Sequence, residues 1–313
     1  MTRAFVFPGQ GSQRVGMGRA LAEAFAPARE LFEEVDDALD AKLSRIMFEG
    51  PEADLTLTEN AQPALMAVSL AVVRVLEREG GLRLGAQCAF VAGHSLGEYS
   101  ALAAAGGLAV GDAARLLRRR GRAMQRAVPV GEGAMAALIG LDLDAARAVA
   151  TAAAGNEVCE TANDNAPGQV VLSGGRAAIE RAIAIAPEHG ARRVIELPVS
   201  APFHCALMAP AAEEMAEALA ATEIAAPAVP LIANVTAAPV IDPDEIRALL
   251  VRQVTAMVRW RESVLAMAAS GVDEIVELGA GKVLSGLVRR IDRAIAARSV
   301  ETPEDVELFL KSV

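Results

Sequence analysis

The sequence predicts an α/β protein with a large parallel sheet and a small ferredoxin-like domain inserted into it. At 313 residues the chain exceeds the usual size of one compact core, which favours a large domain with an insertion. Residues 4–7 and 88–92 have the short apolar pattern of buried strands, and helical patterns follow each of them, as in a parallel sheet. Between residues 129 and 198 the order becomes β-α-β-β-α-β, the ferredoxin-like pattern. We therefore expect residues 1–128 and 199–313 to form the large domain and residues 129–198 the small one.

Apolar periodicity and turn residues define the individual elements. In the small domain we expect strands at residues 134–141, 158–162, 169–173 and 193–198, and helices at residues 144–154 and 177–188. In the large domain we expect helices at residues 20–39, 64–79, 112–128, 209–221 and 243–256, and further strands at residues 231–234 and 274–277. A turn and a final helix begin at Gly279.

Composition limits the classes of function. Aromatic residues make up 3% of the chain and the formal net charge is −10, which argues against a nucleic acid or another general polyanion as partner. The longest apolar stretches are broken by Arg, Glu or Gly, so the sequence predicts no membrane span. Three widely spaced cysteines favour neither a disulfide framework nor a cysteine metal site. The N-terminus lacks the pattern of a secretory signal, and we expect a cytoplasmic protein without a bound metal.

Ser95 is the candidate nucleophile. It lies in Gly93-x-Ser95-x-Gly97, between the strand at residues 88–92 and an Ala-rich helical segment. The glycines permit a sharp turn that exposes the serine oxygen at a helix N-terminus, where backbone N–H groups and the helix dipole stabilise negative charge. The same pentapeptide could be a structural turn, but its strand–turn–helix context favours a nucleophile elbow. The large domain is therefore expected to be α/β-hydrolase-like.

A serine hydroxyl needs a general base, and the chain has only three histidines. His94 precedes the serine, so its side chain should point away and pack behind the site. His189 lies in Pro187-Glu188-His189-Gly190, which is typical of a helix C-terminus. His204 lies in a loop after a strand, where catalytic groups are common, and is the base by exclusion. No Asp or Glu stands out as a third member of a triad.

One arginine lies on the apolar side of the helix at residues 112–128. At about 100° per residue, Arg120 falls in the middle of the apolar arc. The other arginines fall on the polar side: Arg115, Arg118, Arg119, Arg122 and Arg126. A buried guanidinium requires an anion, which is either a protein carboxylate or a substrate carboxylate held by two parallel hydrogen bonds. The second partner would select a dicarboxylic acyl group.

Five motifs occur together in an order that resembles one family. They are Phe7-Pro8-Gly9-Gln10-Gly11-Ser12-Gln13, Gly93-His94-Ser95-Leu96-Gly97-Glu98, Arg120-Gly121 followed by Met124-Gln125, Pro202-Phe203-His204, and Gly279-Ala280-Gly281-Lys282-Val283-Leu284. Over residues 4–291 the chain is similar to the malonyl-CoA:acyl-carrier-protein transacylases of bacterial fatty acid synthesis. It departs from the family at Ala280, where proline is more usual, which concerns a turn and not the chemistry.

The resemblance implies a ping-pong transfer of a malonyl group from coenzyme A to the phosphopantetheine thiol of holo acyl carrier protein. Ser95 would carry the acyl group. His204 would be the general base and acid, oriented by the main-chain carbonyl of Gln253. Arg120 would bind the malonyl carboxylate.

The resemblance also implies the surroundings of the reacting atoms. The backbone N–H groups of Gln10 and Leu96 would form the oxyanion hole. The remaining substrate-binding residues would be Met124, Asn163, Asn165 and Phe203. Met124 is equally explained as a core residue, and the two asparagines as turn residues.

The expected activity is that of an S-malonyltransferase without a cofactor, acting as a monomer on malonyl-CoA and holo acyl carrier protein. A thioesterase or carboxylesterase with the same Ser–His pair stays open as an alternative, as does an acyltransferase of a polyketide pathway. A hydrolase of uncharged acyl chains would have no use for a buried arginine. The arginines on the polar side of the helix could dock an acidic carrier protein, although such a face is usually only solvated.

Overall fold

The computed structural model describes residues 2–312, which form ten strands and fifteen α-helices. The strands are β1 (Arg3–Phe7), β2 (Phe90–Gly93), β3 (Gly133–Ile139), β4 (Cys159–Ala166), β5 (Gln169–Gly175), β6 (Arg193–Glu196), β7 (Leu231–Ile232), β8 (Pro239–Val240), β9 (Glu274–Leu278) and β10 (Ala296–Val300). The first eight helices are α1 (Arg19–Ala24), α2 (Ala26–Leu39), α3 (Leu43–Glu49), α4 (Glu52–Thr56), α5 (Thr58–Gly80), α6 (Leu84–Gln87), α7 (Gly97–Ala104) and α8 (Val110–Ala127). The others are α9 (Leu143–Ala154), α10 (Arg176–Ile185), α11 (Ala209–Ala220), α12 (Pro243–Gln253), α13 (Trp260–Ala269), α14 (Val283–Ile291) and α15 (Pro303–Leu310).

The larger sheet has the strand order β10-β9-β1-β2-β7-β8, and only the edge strand β8 runs antiparallel to its neighbour. Its central strands β1 and β2 are parallel, with Phe5 opposite Val91. Their carboxyl ends therefore open onto the same edge of the sheet. In open parallel sheets this edge holds the ligand, and the loops that follow these two strands contain Gln10 and Ser95.

The smaller sheet is antiparallel, with the strand order β4-β5-β3-β6. Together with α9 and α10 it follows the β-α-β-β-α-β order, which confirms the ferredoxin-like prediction for this part of the chain. The α/β fold with a parallel sheet and a separate antiparallel sheet is likewise confirmed. The exact domain boundaries at residues 128/129 and 198/199 stay a prediction.

Strand β4 attaches the smaller sheet to the rest of the molecule. Asn163 forms a parallel β-bridge with Val258, and the N–H of Asp164 donates to the carbonyl of Val258 at 3.0 Å. The buried carboxylate of Asp164 forms an ion pair with Arg261 at 2.8 Å. These contacts bring the face of β4 next to the carboxyl edge of the larger sheet.

The predicted elements needed three kinds of correction. The helix expected at residues 20–39 is two helices, because Phe25 is extended and Pro27 lies in the first turn of the second helix. The helix expected at residues 64–79 begins earlier, at Thr58, and the helix expected at residues 177–188 ends at Ile185, followed by a 3₁₀ turn over Ala186–His189. The strand β10 and several helices were not expected, among them α3, α13 and α15.

The core lies on both faces of the larger sheet. Helix α5 is buried along most of its length and packs between α2 and α8 on one face, while α13 and α14 cover part of the other. Within residues 2–312, no helix is both long and apolar enough to cross a membrane.

Candidate active site

Ser95 lies at a sharp turn between β2 and α7. Its φ is +53°, a left-handed conformation that a residue with a side chain seldom adopts. A Cβ at Gly93 would lie 1.9 Å from the backbone of Gly97, and a Cβ at Gly97 would lie 2.2 Å from the carbonyl oxygen of Phe7. Both flanking positions therefore require glycine, as the nucleophile-elbow hypothesis predicted.

The imidazole of His204 contacts the serine hydroxyl. Its Nε2 lies 2.8 Å from Ser95 Oγ, and its Nδ1 lies 2.9 Å from the carbonyl oxygen of Gln253. A carbonyl only accepts hydrogen bonds, so Nδ1 carries the proton and Nε2 is the acceptor that faces the serine. No carboxylate lies within 4.0 Å of this imidazole in the part of the chain that the structure describes. A main-chain carbonyl thus occupies the place that an acid has in a Ser-His-Asp triad.

The environment of His204 favours its neutral form. Burial lowers the pKa of His204 from an ordinary value of 6.5 to about 3, and repulsion by the nearby Arg120 guanidinium contributes in the same direction. The neutral imidazole can therefore accept a proton from Ser95 throughout the physiological pH range. The positive charge that it gains in doing so is opposed by Arg120.

Arg120 is almost fully buried, with 1% of its surface exposed. Nη1 donates to Gln62 Oε1 at 2.8 Å, and Nη2 donates to Gln253 Oε1 at 2.8 Å and to Ser95 Oγ at 3.2 Å. The guanidinium carbon lies 5.7 Å from the centre of the Tyr99 ring. Among residues 2–312, no carboxylate oxygen lies within 4.0 Å of the guanidinium nitrogens. The alternative of an internal salt bridge in direct contact is therefore wrong. Within the described part of the chain, the guanidinium contacts three neutral oxygens and lies over the Tyr99 ring.

Gln10 and Leu96 flank the serine with unused backbone donors. Gln10 follows β1 and Leu96 immediately precedes α7, so both N–H groups lie outside regular hydrogen-bonded structure. Neither N–H donates to a protein acceptor within the described residues. Both residues line the same cavity as Ser95. Two free N–H groups at such a turn have the character of an oxyanion hole.

A cavity of about 530 Å³ extends from Ser95 and Arg120 between the two sheets. Of the other predicted substrate-binding residues, Met124, Asn163 and Phe203 line it. Asn163 contributes an Nδ2 that lacks a hydrogen-bond partner in the described part of the chain. Asn165 is not among the residues that line the cavity, and its Oδ1 lies 2.8 Å from Nε2 of His94, which does line it.

The other two histidines lie apart from the serine hydroxyl. His94 lines the cavity but its ring bonds to Asn165 and lies 5.9 Å from the ring of Trp260, and burial lowers its pKa. His189 ends a 3₁₀ turn and is followed by Gly190 in a left-handed cap at φ +96°, as the sequence predicted. Elimination among three histidines therefore selected the one that contacts Ser95.

Three polar residues of the site were not predicted as such. Asn234 accepts the N–H of Ser95 at 2.8 Å and donates to the Gly93 carbonyl at 2.7 Å, so it bridges the elbow. Glu98 lies in the first turn of α7. It is buried and accepts from the side chain of Gln253 at 2.6 Å, and burial raises its pKa to about 7. Gln62 holds Arg120 and is a polar residue on a buried helix face, the same signal that marked Arg120.

The structure describes no cluster of three His, Cys, Asp or Glu side chains within residues 2–312 that could hold a metal ion. The three cysteines are buried free thiols, and burial raises their pKa to about 12 for Cys88 and about 11 for Cys159 and Cys205. The acid–base group in contact with the serine hydroxyl is therefore the His204 imidazole, next to the Arg120 guanidinium.

An elbow serine, a neutral imidazole and unused N–H donors on an α/β sheet define a class of enzymes that form acyl-serine intermediates. The family described as acyl transferase domain matches residues 4–302. The malonyl CoA-acyl carrier protein transacylase of Bacillus subtilis is 46% identical over 312 residues, which cover 99% of this chain and 96% of the relative. The chain therefore belongs to the malonyl CoA-acyl carrier protein transacylase family.

Solved structures agree with this assignment. An acyl-carrier-protein-S-malonyltransferase from Bartonella henselae is 56% identical with a TM-score of 0.97, covering 100% of this chain and 99% of that one. A structure described as a type II PKS acyl-carrier protein in complex with its malonyl-transacylase contains a chain that is 40% identical to this one, with a TM-score of 0.96. The match covers 100% of this chain and 100% of that one. At these identities and coverages the likeness extends over both sheets and the cavity between them.

Proposed function

We propose that this protein transfers a malonyl group from coenzyme A to the phosphopantetheine thiol of an acyl carrier protein, through a malonyl-Ser95 intermediate. The observation that carries the proposal is the buried Arg120 guanidinium, which lies 3.2 Å from Ser95 Oγ and contacts no carboxylate in the described part of the chain. A cation so placed is suited to an acyl group that ends in a carboxylate. The names of the relatives agree with this substrate.

In the first half-reaction, Ser95 Oγ attacks the thioester carbonyl carbon while His204 Nε2 takes the hydroxyl proton. The electron pair of the carbonyl moves to its oxygen, and the N–H groups of Gln10 and Leu96 donate hydrogen bonds to the resulting oxyanion. One such donor contributes about 3 kcal/mol to the transition state in serine enzymes. When the tetrahedral intermediate collapses, the C–S bond breaks and the coenzyme A sulfur takes the proton from His204.

The second half-reaction runs the same steps in reverse with a different thiol. The phosphopantetheine thiol gives its proton to His204 Nε2 and attacks the ester carbonyl carbon. The C–Oγ bond then breaks, and Ser95 recovers its proton from His204. The carbonyl of Gln253, 2.9 Å from Nδ1, keeps the imidazole in one tautomer through both halves.

Substrate charge would also act on the base. Arg120 is one of the groups that lower the pKa of His204, because it repels the imidazolium. A carboxylate bound to Arg120 would offset that repulsion and make His204 a stronger base at the moment of acylation. Malonyl would then be favoured over acetyl in the chemical step as well as in binding.

The cavity residues have proposed roles that follow from their positions. Met124 and Phe203 would form the apolar wall of the acyl pocket, and the unpartnered Nδ2 of Asn163 would donate to the acyl thioester or its pantetheine arm. Asn165 would act indirectly, by holding the ring of His94, which lines the cavity, through the 2.8 Å contact of its Oδ1 with Nε2. We further propose that the enzyme works as a cytoplasmic monomer without a cofactor, which sedimentation and activity of the metal-free, dialysed protein would test.

Mass spectrometry of the intact protein after brief exposure to malonyl-CoA tests the proposal. We expect one malonyl adduct, located on Ser95, that disappears when holo acyl carrier protein is added. Ser95→Ala should form no adduct. Rapid release of free coenzyme A without carrier protein and without a persistent adduct would identify a hydrolase instead.

A further inference from the structure

The position of the Arg120 guanidinium depends on the orientation of a neighbouring amide group. Nη2 donates to Gln253 Oε1 at 2.8 Å, which requires the amide oxygen of Gln253, and not its NH₂ group, to face the guanidinium. The opposite orientation would set N–H groups against N–H groups. Gln62, whose Oε1 accepts from Nη1, is fixed more weakly, since among the described residues its Nε2 donates only to the Sδ of Met124, at 3.7 Å.

Oxygen atoms surround the other end of the Gln253 amide. Nε2 donates to Glu98 Oε2 at 2.6 Å and to the carbonyl of Ser95 at 3.0 Å, and lies 3.5 Å from Asn234 Oδ1. The shortest of these contacts is to Glu98 at 2.6 Å. At pH 8, above the pKa of about 7 that burial gives Glu98, most of this carboxyl is ionised, and hydrogen bonds to charged acceptors are about twice as strong as neutral ones. Glu98 is itself held, because Oε2 accepts the N–H of Asn234 at 3.2 Å and the residue is 1% exposed.

We propose that Glu98 is a positioning residue that orients the Gln253 amide, and through it fixes the Arg120 guanidinium beside Ser95 as the receptor for the acyl carboxylate. Glu98 touches neither the guanidinium nor the serine hydroxyl in this arrangement, so its effect passes through Gln253. The inference rests on the proposed malonyl transfer, because it concerns the residue that recognises the malonyl carboxylate. It assigns to Glu98 a part in acyl selection in place of a purely structural role at the start of α7.

Glu98→Met and Glu98→Gln form a matched pair for the test. Methionine keeps the approximate length of the side chain but removes the strong acceptor, whereas glutamine retains an amide oxygen that can accept from Gln253 and Asn234. The readout is the ratio of kcat/KM for malonyl-CoA to that for acetyl-CoA, which a uniform loss of folded enzyme does not change. At pH 8, where most of the Glu98 carboxyl is ionised, we expect the ratio to fall about tenfold in Glu98→Met, the size of one lost charge-assisted hydrogen bond. In Glu98→Gln it should stay within about threefold of the parent.

A double-variant cycle tests the route of the effect. Gln253→Leu removes the amide and keeps the main-chain carbonyl that contacts His204. If Glu98 acts through that amide, Glu98→Met should not lower the malonyl-to-acetyl ratio further in the Gln253→Leu background. Effects of the two variants that multiply would overturn the proposal. It would be overturned equally by an unchanged ratio in Glu98→Met, or by a fall in Glu98→Gln as large as that in Glu98→Met.

Folding and the parent activity are checked separately. If Glu98→Met does not give the circular dichroism spectrum of the parent, Glu98→Asp replaces it. Aspartate is one methylene shorter and withdraws the carboxylate from Gln253 while keeping its charge, so the same fall in ratio is expected and an unchanged ratio contradicts the proposal. If the parent protein forms no malonyl adduct on Ser95, the proposed function itself is wrong. If the parent forms the adduct and the variants keep its ratio, only the role of Glu98 is wrong.

Discussion

Helix α8 presents arginines to two different environments. On its exposed side, Arg122 pairs with Glu59 at 2.6 Å, Arg126 and Arg119 share Glu214 at 2.6 and 3.1 Å, and Arg115 pairs with an aspartate one turn away. On its buried side, Arg120 meets two neutral amide oxygens and a hydroxyl. Arginines on the exposed side thus pair with carboxylates, although water already screens their charge. Within the described residues, the buried Arg120 contacts no carboxylate, although burial makes an ion pair electrostatically strongest there.

This contrast indicates what each arginine does. Exposed ion pairs contribute little to stability and consume the charge that a docking surface would offer. A buried cation whose direct contacts are neutral amides and a hydroxyl keeps its charge available for a ligand, and these contacts limit the cost of leaving it without one. Variants that change one side of the helix at a time separate these two roles.

Removal of the buried charge should have the largest effect. Arg120→Met keeps much of the length of the side chain but no donors, so malonyl-CoA loses two charge-assisted hydrogen bonds of about 1.5–3 kcal/mol each. We expect kcat/KM for malonyl-CoA to fall by at least about a hundredfold, and that for acetyl-CoA by much less. Steady-state kinetics with both donors measure the difference. Equal losses for the two donors would mean that Arg120 does not recognise the carboxylate.

A carboxylate placed next to Arg120 should give this buried arginine an internal ion pair, like those of the exposed arginines. Gln62→Glu places an acid at the atom that now accepts from Nη1 at 2.8 Å. The internal ion pair would compete with malonyl, so kcat/KM for malonyl-CoA should fall about tenfold. Gln62→Met is the uncharged control and should retain more malonyl activity than Gln62→Glu. Higher activity in the glutamate variant would contradict the need for a free cation.

The charge of Arg120 should also affect the pKa of His204. Because the pKa of His204 lies at about 3, its imidazole should stay neutral from pH 8 to pH 5, and protonation of the base should not limit acylation in that range. Arg120→Met removes a repulsion and should raise this pKa, although burial should keep it below 6.5. Long-range ¹H–¹⁵N spectra of histidine-labelled protein, assigned with His204→Asn, report both states. A titration midpoint near the ordinary value in the parent protein would be incompatible with this environment.

The exposed side should give the smallest effects. Arg122→Gln breaks the pair with Glu59, which is worth about 0.2–1 kcal/mol to the free energy of unfolding, and should leave the malonyl-to-acetyl ratio within about twofold of the parent. Thermal unfolding and the same kinetic assay measure the two quantities. A loss of malonyl selectivity as large as that of Arg120→Met would remove the distinction between the two faces.

The exposed arginines also carry the prediction that they dock an acidic carrier protein. Charge reversal, Arg122→Glu, tests it with the carrier-dependent half-reaction. Loss of turnover with carrier protein, while acylation by malonyl-CoA continues, would support docking at this face. Four of these five arginines already pair with carboxylates, which favours unchanged turnover, and that result would remove the docking prediction.

The sequence was informative where a local pattern carries the physical signal. A charge on an apolar arc marked Arg120, two glycines around a serine marked the elbow, and the shortage of histidines marked His204. Apolar periodicity also predicted the β-α-β-β-α-β order of the small domain. The capping pattern at Thr302, Pro303 and Asp305 begins α15 and could have been recognised in the same way.

Contacts between distant segments lacked such a signal. Asn234 reaches the backbone of Ser95 across 139 positions, and no periodicity around Asn234 distinguishes it. The partner of His204 is a main-chain carbonyl, which every residue possesses, so only the family resemblance pointed to Gln253. The second use of Gln253, as the amide between Glu98 and Arg120, emerges only when three segments are brought together.

The most direct measurement is a crystal structure of the enzyme trapped as malonyl-Ser95. We predict that both oxygens of the malonyl carboxylate lie within hydrogen-bonding distance of the Arg120 guanidinium, with the ester carbonyl directed at the N–H groups of Gln10 and Leu96. A carboxylate that points into solvent while Arg120 keeps its present contacts with Gln62 and Gln253 would contradict the central claim.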